Sequence, residues 1–365
     1  MSNSICRWGI LSTANIARKN WLAIRNTGNA IITAVASRSI PKSQQFIDDC
    51  QGYSPFATVP TAVGSYDELL KRDDVDAVYI PLPTGIRKEW VIRAAEAGKH
   101  VLCEKPVGVV AADVSEMLAA CRKNKVQFMD GVMFMHSQRL NKLREALDDG
   151  ESVGKLRRIC SQFSFAATDE FIANNIRVSN DLEPLGCLGD LGWYNIRFTL
   201  WAMKYETPHS VSGRLLTKAG GSSVPMEFSG ELFFRDGVSA SFYCSFLNEN
   251  QQWANLSGTK GFITVPGFVC PFYGNEVSFD VSNVKFVPRG CDFNMEDHTR
   301  RVAVQEFGNS APNAQETNLF RNFSQLVLSG KLDESWGQIA LQTQQVMEAT
   351  LASARQDGKL VPVAT

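Results

Sequence analysis

Residues 100–106 read His-Val-Leu-Cys-Glu-Lys-Pro. The apolar run Val101–Cys103 has the length and composition of a buried strand. Pro106 cannot donate a ladder hydrogen bond, so the strand is predicted to end just before it. In an open α/β sheet, ligands bind beyond the carboxyl ends of the strands, so Glu104 and Lys105 are expected where chemistry takes place. On its own, Glu-Lys-Pro would equally suit a strand end with a solvated lysine.

The surroundings of this strand favour the first interpretation, because short apolar runs alternate with helical patterns throughout residues 1–130. Strands separated by helices of this length predict βαβ units and a parallel, doubly wound sheet. The predicted strands are Cys6–Leu11, Ile31–Ala36, Ala77–Ile80, Val101–Cys103 and Gln127–Asp130, and the predicted helices are Ile16–Arg25, Ser43–Cys50, Tyr66–Arg72, Ile86–Ala97 and Ala112–Lys123.

After residue 130 the pattern changes, and residues 131–365 are expected to form a second domain. Its predicted class is α+β with a largely antiparallel open sheet, since residues 210–265 are rich in strand patterns with a hairpin turn at 235–237. Residues 283–311 are polar and are expected to be loops. The other predicted elements are a strand at Arg157–Phe165 and helices at Leu140–Leu147, Tyr194–Met203, Glu316–Leu328 and Ile339–Arg355.

Composition excludes several classes of protein. A chain of 365 residues that is 44% hydrophobic predicts more than one domain. A net charge of −1 argues against binding nucleic acid or an anionic membrane surface. Nine cysteines without a C-x-x-C pair, and no signal-peptide pattern, predict reduced thiols in the cytoplasm. No apolar run is long enough for a transmembrane helix, and the four histidines lack metal-ligand spacing.

The turn after the first strand resembles a phosphate-binding loop. Residues 9–17 read Gly-Ile-Leu-Ser-Thr-Ala-Asn-Ile-Ala. A dinucleotide fingerprint, G-x-G-x-x-G/A, would place Ser12, Ala14 and Ala17 at its three small positions. These side chains are small enough for a tight turn and a close approach to a pyrophosphate. The same residues would also suit an ordinary strand-to-helix turn.

The end of the second predicted strand bears on cofactor choice. Chains that bind NAD usually carry Asp or Glu here, on the ribose hydroxyl, whereas this chain has Ser37-Arg38-Ser39. Serine and arginine suit a 2′-phosphate through charge-assisted hydrogen bonds. NADP(H) is therefore expected rather than NAD(H), with a solvated surface arginine as the alternative.

Together, these motifs resemble the glucose–fructose oxidoreductase / inositol dehydrogenase (Gfo/Idh/MocA) family, closest to its dihydrodiol and xylose dehydrogenase-like subgroup. The resemblance covers nearly the whole chain, and its most specific part is the block Ala-Gly-Lys-His-Val followed by Glu-Lys-Pro. The stretches that carry it are Trp8–Lys19, Val35–Arg38, Pro81–Thr84, Ala97–Val101, Glu104–Pro106 and Gly189–Tyr194.

The resemblance implies a fold, a reaction and an assembly. The fold would be a dinucleotide-binding Rossmann domain followed by a substrate domain whose open sheet often forms a subunit interface. The reaction would be hydride transfer between nicotinamide and a hydroxyl-bearing carbon of a sugar, polyol or cyclic diol. A homodimer is expected, also because the outer face of the 210–265 strands is predicted to be apolar and aromatic.

The family's functional residues map onto this chain with some departures. Tyr194 stands where many members carry histidine, while Thr84 and Arg87 replace an asparagine and a histidine near the nicotinamide. The implied catalytic residues are Lys105, Tyr194 and Asp190. The candidate substrate contacts are His136, Arg177, Asp190 and Tyr194. The implied cofactor contacts are Ser12, Thr13, Ala14, Asn15, Ile16, Ser37, Arg38, Pro81, Leu82, Thr84, Glu104 and Lys105.

A lysine–tyrosine pair makes chemical sense for this reaction. Oxidation of an alcohol needs a group that takes the hydroxyl proton, and an unperturbed tyrosine pKa of ~10 is too high. A nearby ammonium favours the phenolate. Structural alternatives remain for the other candidates: Asp190 as a helix N-cap, Arg177 as a surface charge and His136 as a core histidine. Tyr194 could itself be a buried aromatic whose hydroxyl bonds locally.

Two other functions are compatible with the fold. One is a glycosidase that uses bound nicotinamide for transient oxidation, and it would show no net redox change of its substrate. The other is a nucleotide-binding sensor without enzymatic activity. Such a sensor would not need Lys105 and Tyr194 together, so their joint presence favours the dehydrogenase or reductase.

Overall fold

A computed structural model describes residues 5–364 and divides the chain into two compact units. Unit 1 contains the residues up to 136 together with 181–184 and 309–344. Unit 2 contains residues 137–180, 185–308 and the chain from 345 onward. This division differs from the contiguous domains 1–130 and 131–365 expected from the sequence, because a C-terminal helix returns to the first unit.

Unit 1 is built on six parallel strands in the order β3-β2-β1-β4-β5-β6, which confirms the doubly wound parallel sheet. Only β3 had no counterpart among the predicted strands. The strands are β1 Cys6–Leu11, β2 Ala30–Ala36, β3 Thr61–Val63, β4 Ala77–Ile80, β5 His100–Cys103 and β6 Phe128–Asp130, and the first five helices are α1 Asn15–Arg25, α2 Ile40–Tyr53, α3 Tyr66–Leu70, α4 Thr84–Glu96 and α5 Ala111–Lys123.

Unit 2 contains a nine-stranded sheet in the order β16-β13-β12-β11-β7-β10-β9-β8-β17. β7 and β10 pair in parallel and the other neighbours pair antiparallel, which confirms the predicted class. The strands are β7 Leu156–Ala166, β8 Ser210–Lys218, β9 Pro225–Phe233, β10 Ser239–Ser245, β11 Leu247–Gly258, β12 Phe262–Pro266, β13 Val277–Ser282, β14 Lys285–Arg289, β15 Asp292–Glu296, β16 Thr299–Val304 and β17 Val361–Pro362.

Five further helices complete the fold. α9 belongs to unit 1, whereas α10 begins in unit 1 and ends in unit 2. The helices are α6 Arg139–Asp148, α7 Asp169–Asn174, α8 Trp193–Ala202, α9 Gln315–Ser329 and α10 Ser335–Ala354. The expectation that residues 283–311 are loops is wrong, since β14 and β15 form a separate two-stranded sheet and β16 joins the large one.

The core of unit 1 explains why α9 belongs there. Trp8 of β1 lies 5.2 Å, between ring centroids, from both Phe320 and Phe323 of α9. The Trp8 indole also donates a 3.0 Å hydrogen bond to Ser324 Oγ. Burying side chains of this size stabilises a fold by about 1.5–3 kcal/mol each. Residues far apart in sequence therefore share one hydrophobic core.

The Ala-Gly-Lys-His-Val block forms a structural joint in unit 1. Gly98, with φ of +72°, ends α4. Lys99 Nζ donates to the backbone carbonyls of Arg72 and Val75 at 2.7 and 2.9 Å. His100 Nδ1 accepts a 2.9 Å hydrogen bond from the backbone N–H of Gln127. The block thus ties the start of β5 to the segments that precede β4 and β6.

The large sheet of unit 2 has one face packed against helices and one uncovered face. On the packed face, Asn195 of α8 donates to Ser161 at 2.9 Å, and a Cβ on Gly213 would collide with the Thr350 carbonyl of α10. The uncovered face carries the aromatic residues Phe233, Tyr243, Trp253 and Phe262, as the sequence predicts, among side chains that are mostly polar. The other apolar residues of each strand alternate towards the helices. The polar residues of the uncovered face include Arg158, Gln162, Glu227, Glu231, Ser239, Ser241, Asn255 and Thr264.

Candidate active site

Predicted cofactor contacts gather at one edge of the unit 1 sheet. Ser12–Ile16 follow β1, Ser37–Arg38 follow β2, Pro81–Thr84 follow β4 and Glu104–Lys105 follow β5. These four strands are parallel neighbours, so their carboxyl ends lie side by side. This is the edge at which doubly wound folds bind ligands.

The turn between β1 and α1 leaves the helix N-terminus open towards this edge. Ser12 adopts φ of +138°, a conformation that is strained for a residue with a side chain. Its Oγ accepts a 3.1 Å hydrogen bond from the N–H of Ala14. No side chain in the described part of the chain caps α1, which begins at Asn15. Such an N-terminus binds anions through its backbone N–H groups and dipole.

The two candidate cofactor contacts in the turn after β2, Ser37 and Arg38, differ in their exposure to solvent. Ser37 is buried, and its Oγ donates to the Ser39 carbonyl at 2.8 Å and accepts from Ser43 Oγ at 3.1 Å. The hydroxyl therefore fixes the turn, and the exposed Arg38 is the group that can reach a ligand phosphate. The predicted contact of Ser37 with the cofactor is not tested by this arrangement and stays a prediction.

Tyr66 is a candidate that sequence reasoning missed. Burial raises the pKa of Tyr66, while the Arg38 charge and a hydrogen bond with Ser12 act in the opposite direction. These interactions place the phenol beside two predicted cofactor contacts. The available signal was the capping box that starts α3, in which Ser65 Oγ accepts from the Glu68 N–H at 3.2 Å.

Glu104 is oriented from within the core. The fully buried Tyr79 hydroxyl donates to Glu104 Oε1 at 2.6 Å and accepts from Asn20 Nδ2 at 2.6 Å. Burial and the Glu104 charge raise the pKa of Tyr79 well above its ordinary value, so it stays a donor. Glu104 Oε2 accepts from the N–H of Lys105 at 3.2 Å. Glu104 and Lys105 are thus held on a rigid support.

A segment of four residues, Asp181–Pro184, lies against the N-terminus of α4 within unit 1; we call it the strap. Glu183 accepts from the Thr84 N–H at 3.0 Å and from Thr84 Oγ at 2.6 Å. The Gly85 N–H donates to the Leu182 carbonyl at 2.9 Å, and a Cβ on Gly85 would collide with the Asp181 carbonyl. The strap therefore satisfies the first orphan N–H groups of α4.

Arg87 joins the ends of β4 and β5. Its buried guanidinium donates to the carbonyl of Leu82 at 2.9 Å from Nε, and to the carbonyl of Pro106. Nη1 also donates to Thr84 Oγ at 3.3 Å. Both positions that depart from the family pattern, Thr84 and Arg87, thus belong to one network. Glu183 completes this hydrogen-bond network through Thr84. No motif in the sequence predicted a role for Glu183.

Within unit 2, Arg177 and Asp190 form a salt bridge of 2.9 Å. Asp190 lies inside a π-helical turn, Leu188–Gly192, that leads directly into α8. The N-cap interpretation of Asp190 is therefore wrong. Its side chain is 16% exposed and that of Arg177 is 42% exposed, so solvent reaches the arginine more than the carboxylate. π-turns of this kind occur frequently at functional sites.

Tyr194 follows Asp190 by four residues in the same continuous helical segment, so the two lie on one side of it. Its buried ring lies 5.8 Å, between centroids, from that of Phe163 on the packed face of the sheet. Lys105 belongs to unit 1 and Tyr194 to unit 2. Their pairing as an acid–base unit stays a prediction.

His136 lies in unit 1 in surroundings typical of a structural histidine. Its ring is stacked on Trp336 with a centroid distance of 4.9 Å. Its Nδ1 is 3.0 Å from Asn322 Nδ2. These contacts fix the ring, and the predicted role of His136 as a substrate contact is not tested by them.

The described residues also bear on metal sites, disulfides and membrane-spanning helices. Across residues 5–364, no group of three or more His, Cys, Asp or Glu side chains is arranged to hold a metal ion. All nine cysteines are free thiols. No helix in the same range has the length and apolarity needed to cross a bilayer.

Comparison with known proteins identifies the family. Residues 6–132 match the profile described as "Oxidoreductase family, NAD-binding Rossmann fold", and residues 140–264 match the "GFO/IDH/MocA C-terminal domain". The chain belongs to the Gfo/Idh/MocA oxidoreductase family. The resemblance seen in the motifs is confirmed, as is the prediction of an enzyme that carries out redox chemistry with a nicotinamide cofactor.

Similar members of the Gfo/Idh/MocA family are dehydrogenases and reductases. D-xylose 1-dehydrogenase (NADP(+)) 2 of Haloferax volcanii is 31% identical over 70% of this chain and 74% of its own length. Trans-1,2-dihydrobenzene-1,2-diol dehydrogenase of Mus musculus is 31% identical over 73% of this chain and 76% of its own. These relatives lend no support to a glycosidase or a sensor.

A solved structure agrees over the whole fold. KijD10, a 3-ketoreductase from Actinomadura kijaniata in complex with NADP and TDP-benzene, superposes with a TM-score of 0.82 at 25% identity. The match covers 96% of this chain and 98% of that one. Both the Rossmann domain and the C-terminal sheet domain of the Gfo/Idh/MocA fold are therefore present.

Proposed function

We propose that this protein is an NADP(H)-dependent dehydrogenase or reductase that transfers hydride between nicotinamide and a hydroxyl-bearing carbon of a sugar, polyol or cyclic diol. The observation that carries the cofactor choice is the exposed Arg38 at the end of β2, where an NAD-binding chain would present a carboxylate. The xylose dehydrogenase named for NADP(+) and the NADP complex of KijD10 support the same choice.

The residues at the carboxyl edge of unit 1 fit this cofactor. The uncapped N-terminus of α1, with the strained turn at Ser12, suits a pyrophosphate held by residues 12–16. Arg38 suits the 2′-phosphate and Tyr66 the adjacent ribose. Pro81, Leu82, Thr84, Glu104 and Lys105 would line the nicotinamide end. When bound, the cofactor supplies the acceptor or donor of the hydride.

The chain's own side chains would manage the proton. We propose that Tyr194 Oη takes the proton of the substrate hydroxyl during oxidation and returns it during reduction, assisted by the Lys105 ammonium. Asp190, held in place by Arg177 at 2.9 Å, would accept a hydrogen bond from a second substrate hydroxyl. Substrates with vicinal hydroxyl groups, such as sugars and diols, satisfy both interactions.

A substrate screen tests the proposal directly. Sugars, polyols and dihydrodiols are offered with NADP+ or NAD+, and formation of reduced cofactor is followed by its absorbance. We expect turnover with NADP+ and at least one substrate, and its loss in Lys105→Met and Tyr194→Phe. Binding of NADP without any turnover would indicate a sensor. Cleavage of a glycoside without net redox change would indicate a glycosidase.

The assembly and location are proposed on separate grounds. The uncovered face of the nine-stranded sheet is wide enough for a subunit interface, which supports a homodimer through unit 2. Reduced cysteines support a cytoplasmic location. Light scattering that returns the monomer mass of 40.3 kDa at micromolar concentration would overturn the homodimer.

A further inference from the structure

The hairpin formed by β13 and β16 continues beyond the large sheet as a free two-stranded arm. Ser282 faces Thr299 at the end of the sheet, and Lys285 faces Glu296 at the start of the arm. The two pairs are three residues apart on both strands, so the register continues without an insertion. We call residues 283–298 the ribbon. At ~3.3 Å per residue it extends about 20 Å past the sheet.

The two faces of the ribbon differ sharply in polarity. One face carries Phe286 opposite Met295 and Pro288 opposite Phe293. The Phe286 and Phe293 rings stack with centroids 5.6 Å apart. The other face sets Lys285 against Glu296 and Arg289 against Asp292, so it offers opposite charges that suit water.

The apolar face of the ribbon is largely exposed to solvent. Phe286 is 58% exposed, Phe293 71% and Met295 66%. Together these side chains present roughly 350 Å² of surface, given that a buried aromatic covers ~150–250 Å². A patch of this size on a two-stranded ribbon, which is marginal alone in water, indicates that another surface covers it.

The direction of this face indicates what covers it. Asp280 and Ser282 of β13 face Thr264 and Phe262 of β12 on the uncovered side of the large sheet. Side chains two residues apart point to the same side of a strand. Phe286 and Pro288 follow Ser282 by even steps without a register break, so the apolar face continues the uncovered side of the sheet.

A second copy of this chain fits both surfaces. Nine strands spaced ~4.8 Å apart give the uncovered face an area on the order of the ~800 Å² per partner that a dimer buries. Interface cores are enriched in aromatic residues and Met, and this face carries Phe233, Tyr243, Trp253 and Phe262 among mostly polar side chains. The ribbon adds further aromatic residues and Met on the same side. Arg300 and Arg301 on the edge strand β16 disfavour the alternative of edge-to-edge pairing.

We propose that the ribbon is a clasp that lays Phe286, Phe293 and Met295 against unit 2 of a second copy and supplies an apolar anchor of the dimer. The proposal rests on the homodimer proposed above and extends it by naming the element that stabilises it. It is independent of the reaction and of the cofactor.

The first test compares two triple variants by light scattering and analytical ultracentrifugation. Phe286→Ser/Phe293→Ser/Met295→Ser changes the apolar face, and Lys285→Ser/Asp292→Ser/Glu296→Ser changes the charged face as a matched control. We expect the dimer dissociation constant to rise at least 100-fold in the first variant and less than 5-fold in the control. Thermal unfolding checks that both variants are folded.

The second test uses Cys291 at the tip of the ribbon, an exposed thiol. In a Cys270→Ser background, Cys291 is labelled with a benzophenone maleimide and irradiated. We expect a covalent dimer whose cross-links map to unit 2 of the other copy.

The outcomes separate the two proposals. A wild-type monomer would overturn the homodimer and the clasp together. A wild-type dimer that the apolar-face variant leaves intact, or cross-links confined to one chain, would overturn the clasp alone and leave the sheet interface standing.

Discussion

Tyr79→Phe removes a single hydroxyl that serves two partners at the candidate site. Tyr79 Oη accepts from Asn20 and donates to Glu104, both at 2.6 Å. Asn20 is buried, so an amide N–H left without its acceptor costs ~1–3 kcal/mol. Glu104 is half-buried and can accept a hydrogen bond from water instead, so losing the hydrogen bond from Tyr79 to Glu104 adds about 1 kcal/mol. We expect a total destabilisation of about 2–4 kcal/mol.

Thermal and guanidinium unfolding measure this effect. For a unit of ~150–250 residues, the change corresponds to a fall in Tm of roughly 5–15 °C. Asn20→Leu/Tyr79→Phe removes the orphaned donor as well and should be more stable than Tyr79→Phe, since replacing both partners by apolar groups costs little. Tyr53→Phe is the control, because the Tyr53 side chain is exposed. Tyr79→Phe should also lower turnover, because Glu104 bonds the Lys105 N–H.

Two results would refute this reasoning. If Tyr79→Phe is as stable as the wild type, the hydroxyl does not hold Asn20 and Glu104 together. If the double variant is less stable than the single one, the cost does not come from an orphaned donor.

Three further predictions concern the site. Arg38→Ala should weaken NADP(H) binding by roughly 10–100-fold and leave NAD(H) binding unchanged in calorimetric titrations; equal losses for both cofactors would contradict the 2′-phosphate assignment. Lys105→Met and Tyr194→Phe should each lower turnover by roughly 10–10,000-fold without loss of NADP binding, and the double variant should be little worse than the poorer single; full activity of either single variant would exclude the pair. Glu183→Ala should destabilise the start of α4 by about 1 kcal/mol and speed amide exchange at Thr84 and Gly85, whereas unchanged exchange would show that the strap does not hold the helix.

The strands of unit 1 could be predicted because buried parallel strands are short apolar runs bounded by helices. β1 and β4 agree with their predicted bounds to the residue. β3 was missed because it has three residues, Thr61–Val63, of which only the last is buried. A strand of this length has no periodicity to detect, and it forms because β2 offers a neighbour to pair with.

The ribbon was missed for a different reason. Its alternating polarity is typical of a strand, but Pro288, Gly290 and Asp292 are residues that indicate a loop. Pro288 is tolerated here because each strand of a two-stranded sheet has one edge without a neighbour. The segment was therefore expected to be a polar loop, and both its strands and its apolar face were missed.

The contacts of the candidate site that could not be predicted from the sequence join residues that are far apart along the chain. Glu183 is 99 residues from Thr84, and Arg177 forms its salt bridge with Asp190 across an intervening loop-rich segment. No periodicity or motif connects such residues. The motif residues themselves, by contrast, lay at the predicted strand ends, because their positions follow from the strand order of the doubly wound sheet.

The joint formed by Lys99 and His100 bears on how relatives of this chain are recognised. The Lys99 ammonium donates hydrogen bonds to two backbone carbonyls, and the His100 ring accepts one from a backbone amide. The block around these residues therefore identifies the fold and not the catalytic activity. A genome search seeded on it would retrieve every chain that builds this joint, including descendants that have lost all activity. Sorting working enzymes from such inactive descendants requires the residue at the position of Lys105, a short distance downstream.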